Sequence, residues 1–134
     1  MMLLQIKELA EKTGLSTDSI RFYEKKNLIQ PTLRADNNYR YYDARTLEKV
    51  MFIKHCRALD ISIQEIQTLH ALLEHPEQNC HQVNDIIDQH LIEVKAKIKT
   101  LQSFEKQLKT LRQSCQNESS IANCQIIKTL QTVD

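Results

Sequence analysis

Three cysteines bracket one long periodic stretch of this chain. Cys80 opens it, Cys115 closes it 35 residues later, and Cys124 follows after a further nine. Thiols so placed can be buried as small apolar groups, exchange as a disulfide, or bind a soft metal ion as thiolates. The stretch between them decides what they can reach. Apolar or thiol residues fall at 80, 83, 87, 91, 94, 98, 101, 104, 108, 111 and 115, always three or four apart, which is the spacing of a coiled-coil seam. A helix rising ~1.5 Å per residue puts about 52 Å between Cys80 and Cys115, so the two cannot share a ligand within one chain. In an antiparallel pair of such helices the start of one lies beside the end of the other. Cys80 of one copy would then meet Cys115 and Cys124 of the partner subunit, twice per dimer by symmetry. Three unrelated buried cysteines are the alternative.

The elements that would position these thiols follow from the rest of the chain. Its 134 residues fit one domain, or a small domain with an extension. A single glycine and two prolines favour a mostly helical chain. The net charge of +1 conceals an asymmetry, +3 over residues 1–60 and −2 over the remainder, so an anionic partner is expected for the front half only. The opening "MMLLQIKELAEK" has neither the basic start nor the apolar run of a signal peptide, and no segment approaches a membrane span. A cytoplasmic location and no membrane partner are expected, a setting in which disulfides are disfavoured.

"IKELAEKTGLSTDSIRFYEKKNL" reads as two short amphipathic helices about a tight turn, the helix-turn-helix pattern. Gly14 supplies the permissive backbone after the first helix. Ser16 or Thr17 can cap the second, with Asp18 near its positive end. "IQPTLRADNNYRYYDARTL" then reads as a short β-hairpin, or wing, turning at Asp36–Asn38, where asparagine can adopt positive φ. Arg34 and Arg40 flank that turn and could grip phosphates, with tyrosine hydroxyls adding contacts. Asp43 caps a helix running to about Leu59. Ser62 and Glu65 form a capping box for another that ends before Pro76. The residues after Cys115, as far as Asn123, read as a loop, and "CQIIKTLQTV" as a short terminal helix folding back.

Taken together, "IKELAEKTGLSTDSIRFYEKKNLI", "NNYRYYDARTLEKVMFIKHCRALDISIQEI" and the long helix after them resemble the MerR family of transcriptional regulators. The resemblance covers nearly the whole chain. It implies a mainly α fold: a winged helix-turn-helix head with two supporting helices (1–75), a long dimerising helix in an antiparallel coiled coil (76–115), and a metal-binding loop with a short helix (116–134). It implies a homodimer through the long helix that binds double-stranded promoter DNA and distorts it, so that RNA polymerase can engage. The DNA-contacting positions carried over are Arg21, Tyr23, Arg40 and Tyr41, joined by Thr17, Ser19, Arg34 and Tyr39 around them. Cys80, Cys115 and Cys124 match the metal-binding cysteines. The sensor half, "CHQVNDIIDQHLIEVKAKIKTLQSFEKQLKTLRQSC" and "CQIIKTL", looks most like the cadmium- and lead-sensing branch, with Cd(II) or Pb(II) as effector and Hg(II) or Zn(II) as alternatives. Asn27, Asn38 and Asp60 stand where the family usually has glycine, and both residue types can take positive φ.

Some residues fall outside that pattern. His90 with Asn84 suggests an auxiliary metal site near Cys80, against the plainer reading of solvent-facing or seam histidines. His81 lies beside Cys80 without a clear role, and Cys56 reads as a small core residue. Two other functions compete with metal sensing. One is a redox regulator of the same fold, with a Cys115–Cys124 disulfide. The other is a metal buffer or carrier. No nucleophile–base pair, phosphate loop or carboxylate pair points to an enzyme.

Overall fold

The computed structural model describes residues 2–34, 36, 39–116 and 120–133. It falls into two compact units, Met1–Ile86 and Ile87–Asp134. In the first, β1 (Leu4–Gln5) leads into α1 (Ile6–Thr13) and α2 (Thr17–Lys25). The wing strands β2 (Leu33–Arg34) and β3 (Arg40–Tyr42) follow, then the supporting helices α3 (Ala44–Ala58) and α4 (Ile63–Leu72). The start of α5 (His81–Gln113) completes this unit, and the rest of α5 opens the second. A 3-10 turn at Ile121–Asn123 and α6 (Gln125–Gln131) end the chain.

Local rules set the helix ends. Gly14, at φ 74°, closes α1 and donates its N–H to Ala10 O at 2.9 Å. The Ser16 hydroxyl caps α2 by accepting from Ser19 N at 3.0 Å. Asp43 and Ser62 cap α3 and α4 in the same way, and Glu65 returns a bond from the Ser62 N–H at 3.0 Å. Two helices end in a left-handed residue other than glycine. Asn27 takes φ 61° after α2 and Asp60 takes φ 62° after α3. In each case the next amide reaches back to the last turn, Leu28 N to Tyr23 O and Ile61 N to Cys56 O, closing a Schellman motif whose following apolar residue is buried. Asn27 and Asp60 therefore do what was expected of them. The turn expected at Asp36–Asn38, and with it Asn38, lies largely outside the described residues.

The core of the first unit draws on every layer: Leu9 of α1, Ile20 of α2, Tyr42 of β3, Val50 and Ile53 of α3, Ile66 of α4. Lys54 reaches from α3 to donate to Thr13 O at 2.6 Å, which ties the support to the helix-turn-helix corner. The wing is more than a hairpin. β3 pairs antiparallel with β2 on one side and with β1 on the other, with Leu4 opposite Tyr42 and Leu33 opposite Tyr41. Two residues are too short a run to display a strand period, which is why β1 was not legible.

Candidate nucleic-acid interface and metal centre

Between α2 and the wing lies a cleft of about 530 Å³ lined by Arg21, Lys25, Arg34 and Arg40, with Glu24 among them. A neighbouring cleft of about 490 Å³ is lined by Gln5, Lys7, Arg21, Tyr39 and Arg40. Arg21 and Arg40 border both. Such convergence of cations on a helix and a wing suits a phosphate backbone. Arg21 is exposed and lies 3.5 Å from Asp18, Arg34 is exposed, and Tyr39 is 58% exposed. Tyr41 is half-buried and its hydroxyl accepts from Gln5 Nε2 at 3.5 Å.

Three further expected contact residues do not line these clefts. Tyr23 is only 8% exposed and its ring packs in the core. One residue earlier, Phe22 is exposed, with Lys26 Nζ 5.6 Å from its ring centre. Ser19 is engaged in the α2 cap through both its N–H and its hydroxyl, and Thr17 is half-buried in the first turn of that helix. The cleft residues Lys7 and Lys25 were missed. Their only sequence signal is a helical spacing that places them beside the wing, and that emerges once the wing is folded.

Cys80 is exposed immediately before α5. Asn84, one turn on, donates its N–H to Cys80 O at 2.9 Å and its side-chain amide to Cys80 Sγ at 3.9 Å. His90 is buried, with Nδ1 3.8 Å from the Glu93 carboxylate. At the far end of α5, Cys115 and Cys124 bring their sulfurs to 3.7 Å. That is far beyond a disulfide bond and close to the edge of a tetrahedron built on zinc–sulfur bonds of about 2.3 Å. Cys124 sits at the N-cap of α6, where the backbone amide of Ile127, then the Cys115 thiol and the Ile126 amide, hold its thiol below the usual range. Thr129 and Leu130 of α6 line a groove together with Ser103, Gln107 and Leu111 of α5, so the terminal helix does fold back. Cys56 is buried in α3, and burial pushes its thiol up.

Along α5 most of the periodic apolar residues are exposed. Leu101 is 62% exposed and Leu108 63%, with Ile87, Leu91, Ile98 and Phe104 also exposed. A single chain offers them no cover. Among the described residues no helix is long and apolar enough to cross a membrane.

A winged helix-turn-helix joined to a long helix with an uncovered seam defines a class, the helical DNA-binding regulators. Comparison with known proteins is specific within it. Residues 4–72 match the MerR HTH family regulatory protein profile, and residues 47–111 match that of the MerR DNA-binding region. A probable heavy metal-dependent transcriptional regulator of Haemophilus influenzae is 35% identical over 127 residues, spanning 95% of this chain and 98% of the relative. The mercuric resistance operon regulatory protein of Bacillus cereus is 32% identical over 129 residues, spanning 96% and 98%. The crystal structure of the transcription regulator PbrR691 from Ralstonia metallidurans, in complex with lead(II), superposes with a TM-score of 0.82 at 35% identity, covering 95% of this chain and 98% of that one. The chain belongs to the MerR HTH family of regulatory proteins. It is a DNA-binding transcription regulator and not an enzyme.

Proposed function

We propose that this metal-responsive regulator binds promoter DNA as a homodimer through α5 and activates metal-resistance genes when Cd(II) or Pb(II) is captured by thiolates at the dimer interface. The observation that carries this reading is the 3.7 Å approach of Cys115 and Cys124, at the opposite end of α5 from Cys80. Sulfur donors select soft and borderline ions, and the separation fits two of them sharing one ion. Cys80 of the partner subunit would complete the set. Bound there, the ion would cross-link the two chains. Such a ligand shifts the protein towards the DNA-distorting state only by binding that state more tightly. Bending a promoter-sized site costs on the order of 1–6 kcal/mol, and it is the difference in metal affinity between the two states that has to offset it. The head would grip phosphates through Arg21, Arg34 and Arg40, with Tyr39 and Tyr41 beside them. The lead(II) complex of the similar structure and the 35% identity support the lead branch, while the mercuric relative keeps Hg(II) in view. In vitro transcription from the chain's own upstream promoter, titrated with Cd(II), Pb(II), Hg(II), Zn(II) and Cu(I), tests it. Response to Cd(II) or Pb(II) at the lowest free concentration is expected, and a mercury-first response would move the chain to the neighbouring branch.

The same 3.7 Å separation also favours a second reading, in which a low-molecular-weight disulfide oxidises Cys115 and Cys124 to a disulfide and is itself reduced to two thiols. Reversible loss of two thiols with changed transcription and no metal would support it.

A further inference from the structure

Glu24 is out of keeping with its surroundings. It lies in the cleft that Arg21, Lys25, Arg34 and Arg40 also line, where a carboxylate repels any phosphate backbone. Yet its side chain is only 11% exposed and both of its oxygens are occupied. Oε1 accepts the Tyr42 hydroxyl and Oε2 accepts Nη1 of Arg40. Both donors come from β3, whereas Glu24 comes from the last turns of α2, so one carboxylate joins the recognition helix to the wing. Tyr42 is fully buried. Burial, and after it the bond to Glu24, holds its phenol above the ordinary range. Tyr42 fixes the carboxylate, and the carboxylate fixes the guanidinium. Arg40 in turn borders both basic clefts. A guanidinium carries five N–H donors in a planar fork, and Glu24 engages it at Nη1, which leaves the opposite edge directed away from the pair.

We propose that Glu24 is a positioning residue for DNA binding, presetting the Arg40 guanidinium between the two clefts so that its outer edge meets a phosphate without losing rotamer freedom on binding. This rests on the reading of Arg40 as a phosphate contact. The rotamer freedom of a long arginine is lost in the free protein rather than at the moment of binding, which is how preorganisation raises affinity. The role also accounts for a negative charge in a DNA-facing cleft. The repulsion is weakened because Arg40 neutralises the carboxylate, and the gain is a wing locked in register with α2.

The full-length chain first selects a duplex from a random-sequence library. Binding of that duplex is then followed by fluorescence anisotropy across a series of KCl concentrations, for wild type, Arg40→Ala, Glu24→Gln and the double variant. Arg40→Ala should weaken binding about tenfold and make the log–log salt slope shallower by about 0.9, the signature of one lost phosphate contact. Glu24→Gln should weaken binding by less than Arg40→Ala, although it removes a negative charge, with the slope kept because the phosphate contact still forms, and the double variant should be no worse than Arg40→Ala alone. A merely structural role would instead give additive losses in the double variant. Tighter binding with a steeper slope in Glu24→Gln would make the carboxylate a simple electrostatic brake. Either result overturns the proposal. If Arg40→Ala alone leaves affinity and slope intact, it is the phosphate-contact reading that fails, and the positioning role falls with it. Should Glu24→Gln unfold, Tyr42→Phe gives the second test. It removes the donor that fixes the carboxylate but keeps the Arg40 pair, and so should weaken binding only in part while keeping the full salt slope. A Tyr42→Phe protein with a lost slope would contradict the proposed chain of contacts.

Discussion

At the scale of single residues, Asp43 makes the most readable contribution. Its Oδ1 accepts the Thr46 N–H at 2.9 Å and the Thr46 hydroxyl at 3.1 Å. The backbone bond first of all holds the carboxyl below its ordinary value of 3.8. A depressed folded value means stabilisation that is present above the unfolded value and is lost as pH falls through the folded one. Asp43→Ala should lower stability by about 1 kcal/mol at neutral pH, the usual cost of a lost N-cap. Asp43→Asn keeps an acceptor and should stay close to wild type at neutral pH but lose less on acidification below about pH 4. Urea midpoints at a fixed protein concentration check both variants, and parallel acid losses in wild type and Asp43→Asn would show that the carboxylate charge contributes nothing. The cysteines carry a prediction of a different kind. Cys80→Ser should leave DNA affinity unchanged and abolish induction by metal, whereas full induction in that variant would remove Cys80 from the site.

At the scale of elements, helix ends and the α5 seam matter most. Asn27 holds φ 61° at the end of α2, where its N–H bonds to Glu24 O at 2.9 Å. A β-branched residue there meets the full left-handed penalty, so Asn27→Val should destabilise by about 1–2 kcal/mol. Asn27→Gly should stay within about 0.5 kcal/mol of wild type, because relief of that penalty is offset by chain entropy. Thermal unfolding distinguishes the two variants. On α5, an aspartate at the exposed Leu101 would place a charge in the middle of the apolar stripe. Leu101→Asp should shift sedimentation equilibrium towards monomer and weaken operator binding with it, and an unchanged dimer would show that the stripe is not the interface. Much at this scale was legible beforehand because it is local. Ser16, Asp43 and Ser62 act within three residues of themselves, and Asn27 and Asp60 act at the turn they occupy. What escaped depends on distant parts of the chain. Strand β1 exists because β3 lies beside it. Tyr23 turns inward while Phe22 turns out, although both interrupt the same charged run. Glu24 looks like one more helix-surface acid until the wing closes over it. The thiols were legible in part: a seam period and a rise per residue separate Cys80 from Cys115, and the 3.7 Å approach of Cys115 to Cys124 needed the fold-back of α6.

At the scale of the whole molecule, the arrangement of the proposed metal site has a consequence that no single-chain property shares. A 33-residue helix stands between Cys80 and the Cys115–Cys124 pair, about 50 Å of rise, so the donors meet only if two chains run antiparallel. Each site then takes Cys80 from one chain and the pair from the other. A Cys80→Ser homodimer lacks one thiolate in both sites, and a Cys115→Ser/Cys124→Ser homodimer lacks two in both. A heterodimer of these variants differs from either parent. The Cys80→Ser chain still supplies Cys115 and Cys124, and the other chain still supplies Cys80, so one complete site is rebuilt and the second has no cysteine at all. Co-expression with two affinity tags isolates that heterodimer. Cd(II) titration, followed by ultraviolet thiolate-to-metal absorption, should give one tightly bound ion per heterodimer against two for wild type, with both mutant homodimers binding much more weakly. Equal, undiminished binding by the Cys80→Ser homodimer would mean that Cys115 and Cys124 of one chain suffice. Failure of the heterodimer to recover any tight binding, with both chains folded and paired, would mean that Cys80 and the pair never meet across the interface. The antiparallel arrangement of α5 would then have to be given up together with the shared site.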